Sequence, residues 1–433
     1  MASAVARIES LDQDGRGVTH VDGKVFFVDG ALPGETVCLE SYRRKPAYEL
    51  AVVRRVLAPS SARTAPRCPS FGVCGGCSMQ HIEPRTQLAA KQRVLEDNLA
   101  RIGKVRPETM LAPIHGPSWA YRYRARFSAR FVASKGGSLI GFRERRRSFV
   151  TDMRSCEVVP PRISALLVPL RETVGALTIR ERLPQIELSI GEGVDVLTFR
   201  VLEPLASADE ILLREFGDKH RVAIYLQPGG PDTAAPFHPQ IPADLHYTLP
   251  EFGLVFRFRP TDFTQVNFVM NRVLVRRAIA LLDPQPGERI ADLFCGLGNF
   301  SLALARRGAC VLGIDGGAEL LSRAADNATL NGLDNLCEFR TADLFRMSPD
   351  QWRQLGPFDK LLIDPPRDGA VELAKSIGAG APRRIVYVSC NPATLARDAA
   401  LLVNMNGYRL AAAGVINMFP HTSHVESIAL FET

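Results

Sequence analysis

A chain of 433 residues, 46% hydrophobic and 23% charged, is too long for one ordinary domain and has ample material for buried cores, so two or three domains are expected. Its apolar runs all fall short of the roughly 18 residues a membrane helix needs, and the opening Met-Ala-Ser-Ala-Val-Ala-Arg lacks the apolar centre of a secretory signal; a cytoplasmic protein is expected. The net charge of +7 hides an asymmetry: residues 51–150 hold 19 Lys and Arg against 5 Asp and Glu, a positive field suited to a polyanion such as nucleic acid.

Residues 1–60 carry short β-like runs (Val25–Val28, Thr36–Leu39, Leu50–Val53) between the turn formers Asp14-Gly15 and Pro33-Gly34, which predicts a small β-barrel. A linker around Pro59-Ser60-Ser61 and Pro66 follows. Cys68, Cys74 and Cys77 then form a C-x5-C-x2-C group in a loop rich in Pro and Gly. In a chain expected to be cytoplasmic, such spacing points to metal ligation rather than a disulfide framework. Three thiolates need a fourth ligand, for which Cys156 and His81 compete; from spacing alone, structural zinc and an iron–sulfur cluster fit equally.

A helix is predicted from about Pro84 to Arg101, with Leu88, Leu95 and Leu99 on one face. The alternation in Tyr121-Arg-Tyr-Arg-Ala-Arg-Phe127 predicts a strand with Arg122, Arg124 and Arg126 on one side, a face suited to phosphates. Arg143 and Arg145 to Arg147 extend that basic region, and strand-like alternation continues to about residue 260.

From Pro284 onward, β-branched runs alternate with Ala/Leu/Arg-rich stretches, the pattern of a parallel α/β sheet. The strand-like run from Ile290 enters the loop Cys295-Gly-Leu-Gly298 and then a helix from Ser301 to Arg307. A second strand ends in Asp315, where a carboxylate can hold ribose hydroxyls. A third ends in Asp364-Pro-Pro-Arg367, and Ser301 stands where a dinucleotide site has its third glycine; this fits S-adenosylmethionine better than NAD. Cys390 ends the run Ile385–Ser389 just before Asn391-Pro392, where a strand end projects a nucleophile into the ligand crevice.

With Asp364-Pro-Pro-Arg367, Ser389-Cys390-Asn391-Pro392 and Phe419-Pro-His-Thr-Ser-His-Val-Glu426 in that order, the chain resembles the RNA (uracil-C5)-methyltransferase family over essentially its whole length. The likeness is greatest to the bacterial branch acting on 23S ribosomal RNA. It implies an RNA-binding TRAM/OB-like barrel at 1–60, a central β-rich RNA-binding domain at 61–260 and an α/β, class I (Rossmann-like) methyltransferase domain at 261–433. It implies a [4Fe-4S] cluster on Cys68, Cys74, Cys77 and Cys156 in the central domain. For S-adenosylmethionine it implies contacts from Gln265, Phe294, Asn299, Asp315, Asp343 and Asp364. For catalysis it implies Cys390 as the nucleophile at uracil C6 and Glu426 as the base that removes the C5 proton. Asp315 stands where the family pattern has a glutamate and Asp343 where it has an asparagine. The expected partner is 23S ribosomal RNA, and the protein is expected to act as a monomer. An iron–sulfur RNA-binding protein without activity, a nitrogen methyltransferase, or the same chemistry at another rRNA or tRNA uridine are the alternatives.

Overall fold

The computed structural model describes residues 3–378 and 382–433. Three sheets of six, six and eight strands, with one short hairpin, organise the chain.

The first sheet takes its strands from Ser3–Arg7, Ser10–Leu11, Gly17–Val21, Lys24–Asp29, Thr36–Arg44 and Tyr48–Ala58. In space they run first, fifth, sixth, fourth, third, second. Alternate residues point inward, giving a small core of Ile8, Phe26, Val28, Val37, Leu39 and Ala51. Glu35 closes this unit: its buried carboxylate accepts from Leu32 N at 2.9 Å and from the Arg63 guanidinium, which holds the carboxyl low against the penalty of burial.

The central sheet pairs Gln185–Ile190 with Asp195–Arg200 on one side and with Arg124–Val132 on the other. Helices Leu167–Ala176 and Ser207–His220 supply Leu167, Leu170, Leu213 and Phe216 to its core. The arginine alternation was expected to offer one phosphate-binding face, and the structure corrects this. Arg124 is drawn inward, donating from Nη2 to Pro260 O at 2.8 Å and from Nη1 to Asp262 O. Arg126 is exposed but pairs across the strands with Glu187 at 2.9 Å. Arg122 precedes the strand and leans over the Phe142 ring. Arg145 and Arg146 both pair with Asp29, tying the first sheet to the central one.

The eight-stranded sheet runs in the order Cys337–Thr341, Cys310–Asp315, Arg289–Leu293, Lys360–Ile363, Arg384–Ser389, Glu426–Glu432, Arg409–Ile416, Thr109–Met110. The first five are mutually parallel, and Glu426–Glu432 runs antiparallel to both its neighbours. Strand order, not direction, reverses between Arg289–Leu293 and Lys360–Ile363, so the crevice at the strands' carboxyl ends is the expected ligand position. The central parallel strands are buried on both sides, which is why they read as continuous apolar runs.

Two segments from before residue 120 belong physically to this layer. Thr109–Met110 adds its edge strand. The predicted helix ends at Asn98 and continues as a single wider turn, Leu99–Gly103. Leu88, Leu95 and Leu99 share a core with Leu395, Leu402 and Tyr408 of the eight-stranded layer.

Candidate active site

The catalytic sheet's carboxyl edge opens into a cavity of about 1200 Å³ that extends across to the cysteine loop of the central region. Sequence-distant residues converge there from strand ends and from the loops that cross them.

At one end the strand Arg289–Leu293 breaks into a loop at Phe294, which adopts a left-handed backbone (φ 63°), a strained conformation for a bulky residue. Gly298 is also left-handed, and a Cβ there would lie 2.7 Å from Leu302 Cδ1, so the turn into helix Ser301–Ala305 requires glycine. Asp315 pins this loop: its two carboxylate oxygens accept from Gly296 N and Gly317 N, each at 3.1 Å. Asp343 is exposed and caps a short turn by accepting from Phe345 N at 3.0 Å, and the Phe294 and Phe345 rings stand 5.4 Å apart. Phe294, Asp315, Asp343, Asp364 and Gln265 all line the cavity. Asn299 does not; its amide is held in a reciprocal pair with Asn271 (2.9 and 3.0 Å) and accepts from Tyr247 Oη at 2.9 Å. Its position accounts for packing of the 246–257 hairpin rather than for a cavity contact.

At the other end lie Cys390 and Glu426. Asn391 caps helix Pro392–Asn404 by accepting from Ala393 N, and Pro392 occupies the first turn, where its missing N–H is harmless. The Asn391 side chain also donates to Arg367 O at 3.0 Å, which fastens the Asp364–Arg367 loop beside the cysteine. Burial pushes the Cys390 thiol up to about 11, with Glu426 and Asp364 adding to the rise and Arg367 opposing it. Burial is the larger cause and the two nearby carboxyls add to it, so this site disfavours the thiolate. Burial likewise raises Glu426 to about 8 and Asp364 to about 7.

The loop preceding Glu426 is braced from several directions. Tyr121 Oη donates to Pro420 O at 2.9 Å, and Asn267 Nδ2 to Met418 O at 3.2 Å. His421 is left-handed (φ 64°); its carbonyl accepts from Ser78 N and Met79 N, both at 2.9 Å, and its ring stacks on Trp119 at 3.8 Å. The cysteine loop is therefore bonded directly to the catalytic loop. His424 accepts from the Arg367 guanidinium at 2.9 Å, and burial together with that cation holds it down at about 4.

Cys68, Cys74, Cys77 and Cys156 line the far wall of the same cavity. Burial raises Cys77 to about 12 and Cys156 to about 11, and the neighbouring cysteines add to both shifts. His81, the competing fourth ligand, is not on that wall; its ring lies behind Phe71, with centroids 5.5 Å apart. Among the described residues, no three His, Cys, Asp or Glu side chains are arranged to hold a metal ion.

Lys91, Gln87 and Tyr121 escaped the sequence reading as site residues. Lys91 carried a signal: it falls on the apolar stripe of Leu88 and Leu95, where a charged residue needs a buried partner.

Residues 248–433 match the family model described as tRNA (Uracil-5-)-methyltransferase. A protein of Nitrosospira multiformis named 23S rRNA (uracil(1939)-C(5))-methyltransferase RlmD is 61% identical over 432 residues, covering 99% of this chain and 98% of its own. A Thiobacillus denitrificans protein of the same name is 61% identical over 429 residues, covering 99% of both chains. The chain belongs to the RNA (uracil-C5)-methyltransferase family. Enzymes of this family are S-adenosylmethionine-dependent. The solved structure of the Pyrococcus abyssi tRNA (uracil-54, C5)-methyltransferase in complex with S-adenosyl-L-homocysteine is similar at a TM-score of 0.75 and 26% identity, covering 99% of this chain and 100% of that one. As in other RNA (uracil-C5)-methyltransferases, the chemistry to be accommodated is methyl transfer to a ring carbon. No helix here is long and apolar enough to cross a membrane among the described residues.

Proposed function

We propose that this chain forms 5-methyluridine in 23S ribosomal RNA, at the uridine numbered 1939 in its relatives' names, with Cys390 as nucleophile and Glu426 as late base. The observation that carries the reading is the lining of one cavity by a strand-end cysteine, a buried carboxyl on the neighbouring strand and the pinned glycine loop. A nitrogen methyltransferase has no use for that cysteine, and a binding protein has no use for either group.

Uracil C5 is a weak nucleophile. Addition of the Cys390 thiolate forms the S–C6 bond and moves the C5–C6 π electrons into an enolate, which makes C5 reactive. S-adenosylmethionine, when bound, supplies the methyl on a cationic sulfonium, a charge that also favours thiolate beside it. Gln265, Phe294, Asp315, Asp343 and Asp364 are the residues that would hold it. After transfer, Glu426 takes the C5 proton; the C–H electrons restore the C5–C6 double bond and the S–C6 bond breaks, returning Cys390. Duplexed uridine hides both carbons, so the target enters unstacked, and Phe263, 72% exposed at the cavity mouth, is the aromatic surface for it.

We further assign the 1–60 unit as a TRAM-like RNA-binding barrel and the four-cysteine wall as the ligand set of a [4Fe-4S] cluster. Support for the cluster is the donor chemistry: four cysteines line one cavity, and a [4Fe-4S] cluster takes one cysteine thiolate for each iron. Protein purified without oxygen should contain iron and acid-labile sulfide; stoichiometric zinc without sulfide would refute the cluster. The function itself is tested by mapping 5-methyluridine in 23S rRNA from cells with and without the protein. Loss of the modification at one uridine on deletion, restored by wild type but not by Cys390→Ala, is expected; an unchanged map overturns the reading.

A further inference from the structure

Lys91 is 2% exposed and lies on helix Pro84–Asn98, outside the catalytic segment of the chain. Its Nζ donates at 2.8 Å to Asn417 Oδ1 and at 2.8 Å to Phe419 O. Both acceptors sit at the start of the loop that contributes Phe419, Thr422, His424 and Glu426 to the cavity. We propose that Lys91 is a positioning residue for the methyltransferase reaction, fixing this loop and holding an ammonium that acts on Glu426.

A buried ammonium without partners carries a penalty of several kcal/mol, so its retention here calls for compensation. Two of its three N–H groups have acceptors in the catalytic loop. The groups around Glu426 then decide its charge. Asp364 and burial push the carboxyl up, and Lys91 pulls it down. His421 and His424 are both held neutral at about 4, Arg122 and Arg367 act on the His424 side, and the Cys390 thiol is raised by Glu426 itself. Lys91 is thus the cation that acts on the base; burial pushes its own ammonium down to about 7 and Glu426 opposes that fall, so the two groups share their charge near neutral pH. The sign follows: a base must be a carboxylate to take the C5 proton, so losing the cation raises Glu426 further and shrinks its ionised fraction at neutral pH.

The inference rests on the covalent reading above, and one experiment separates the two. Release of methylated RNA from the covalent adduct is followed by single turnover from pH 6.5 to 9.5 in wild type, Lys91→Met, Lys91→Arg and Gln87→Ala. Gln87 donates to the His421 ring and accepts from His421 N, so its loss loosens the same loop without touching the charge. Lys91→Met is expected to slow release at least tenfold at pH 7, with the acid limb moved up by about one pH unit and the deficit shrinking toward pH 9. Lys91→Arg, charged throughout this range, should place the limb at or below the wild-type position, and Gln87→Ala should slow release with its limb unmoved. S-adenosylmethionine binding and thermal melting verify folding; should Lys91→Met fail to fold, Lys91→Gln carries the same comparison. An unmoved limb on loss of the charge overturns the proposal, while wild type failing to be trapped by 5-fluorouridine RNA overturns the covalent reading beneath it.

Discussion

Ser389 stands directly opposite Ser427 across the antiparallel strand pair, so the next residues outward, Cys390 and Glu426, leave neighbouring strands side by side. The proposed nucleophile and base are 36 positions apart in sequence, yet strand register sets them side by side. One strand ends where the other begins, and neither residue is held by a flexible connection at that point.

Replacing Cys390 with alanine should abolish uracil methylation, by roughly three orders of magnitude or more, while leaving S-adenosylmethionine affinity within about twofold. The thiol activates the base and is not among the groups that pin the glycine loop. Wild-type protein should form an SDS-stable complex with RNA bearing 5-fluorouridine, since fluorine cannot leave as a proton; Cys390→Ala should not. Isothermal titration and gel analysis check the two halves.

The basic segment divides into arginines bonded within the protein and an arginine that lines the cavity. Arg124 donates to Pro260 O and Asp262 O, so Arg124→Ala should destabilise the protein by about 2–4 kcal/mol without changing the salt dependence of RNA binding. Arg122 lines the cavity beside Phe142, and Arg122→Ala should lower the slope of log K against log salt by about one with little effect on stability. Equal salt slopes for both variants would return Arg122 to a packing role.

His81 is buried with neither ring nitrogen bonded, and burial with nearby Arg63 and Arg145 holds it down at about 4. The unfolded chain binds this proton near pH 6.5, so its contribution to stability is complete above that value and declines as pH falls toward 4. Chemical denaturation across that window should show His81→Leu losing less stability on acidification than wild type, by about 1.4 kcal/mol per pH unit. Parallel losses would mean that His81 titrates normally.

The strands of the catalytic sheet were legible because burial on both faces leaves unbroken β-branched runs such as Ile385–Val388, and Cys390 was legible because Asn391-Pro392 ends that run. The cysteine grouping and the Asp315 carboxylate could likewise be read from spacing. What the sequence could not convey was contact between distant segments. The Arg122/Arg124/Arg126 alternation gave the strand correctly in kind but not the destination of Arg124, whose acceptors lie more than 130 residues away. Lys91 and Gln87 reach Phe419 and His421 across more than 320 residues, a relation no local period encodes. Asn299 sits in a glycine loop that suggests a ligand contact, yet Asn271 and Tyr247 take its amide.

In the proposed reaction Glu426 acts after methyl transfer, and Glu426→Gln tests this most directly because it keeps the shape and removes the basicity. Mixed with ordinary uridine-containing RNA and methyl-labelled S-adenosylmethionine, the variant should accumulate a covalent protein–RNA adduct that carries the label, since addition and methylation proceed but the C5 proton stays. An adduct without label, or labelled RNA released at the wild-type rate, would contradict it.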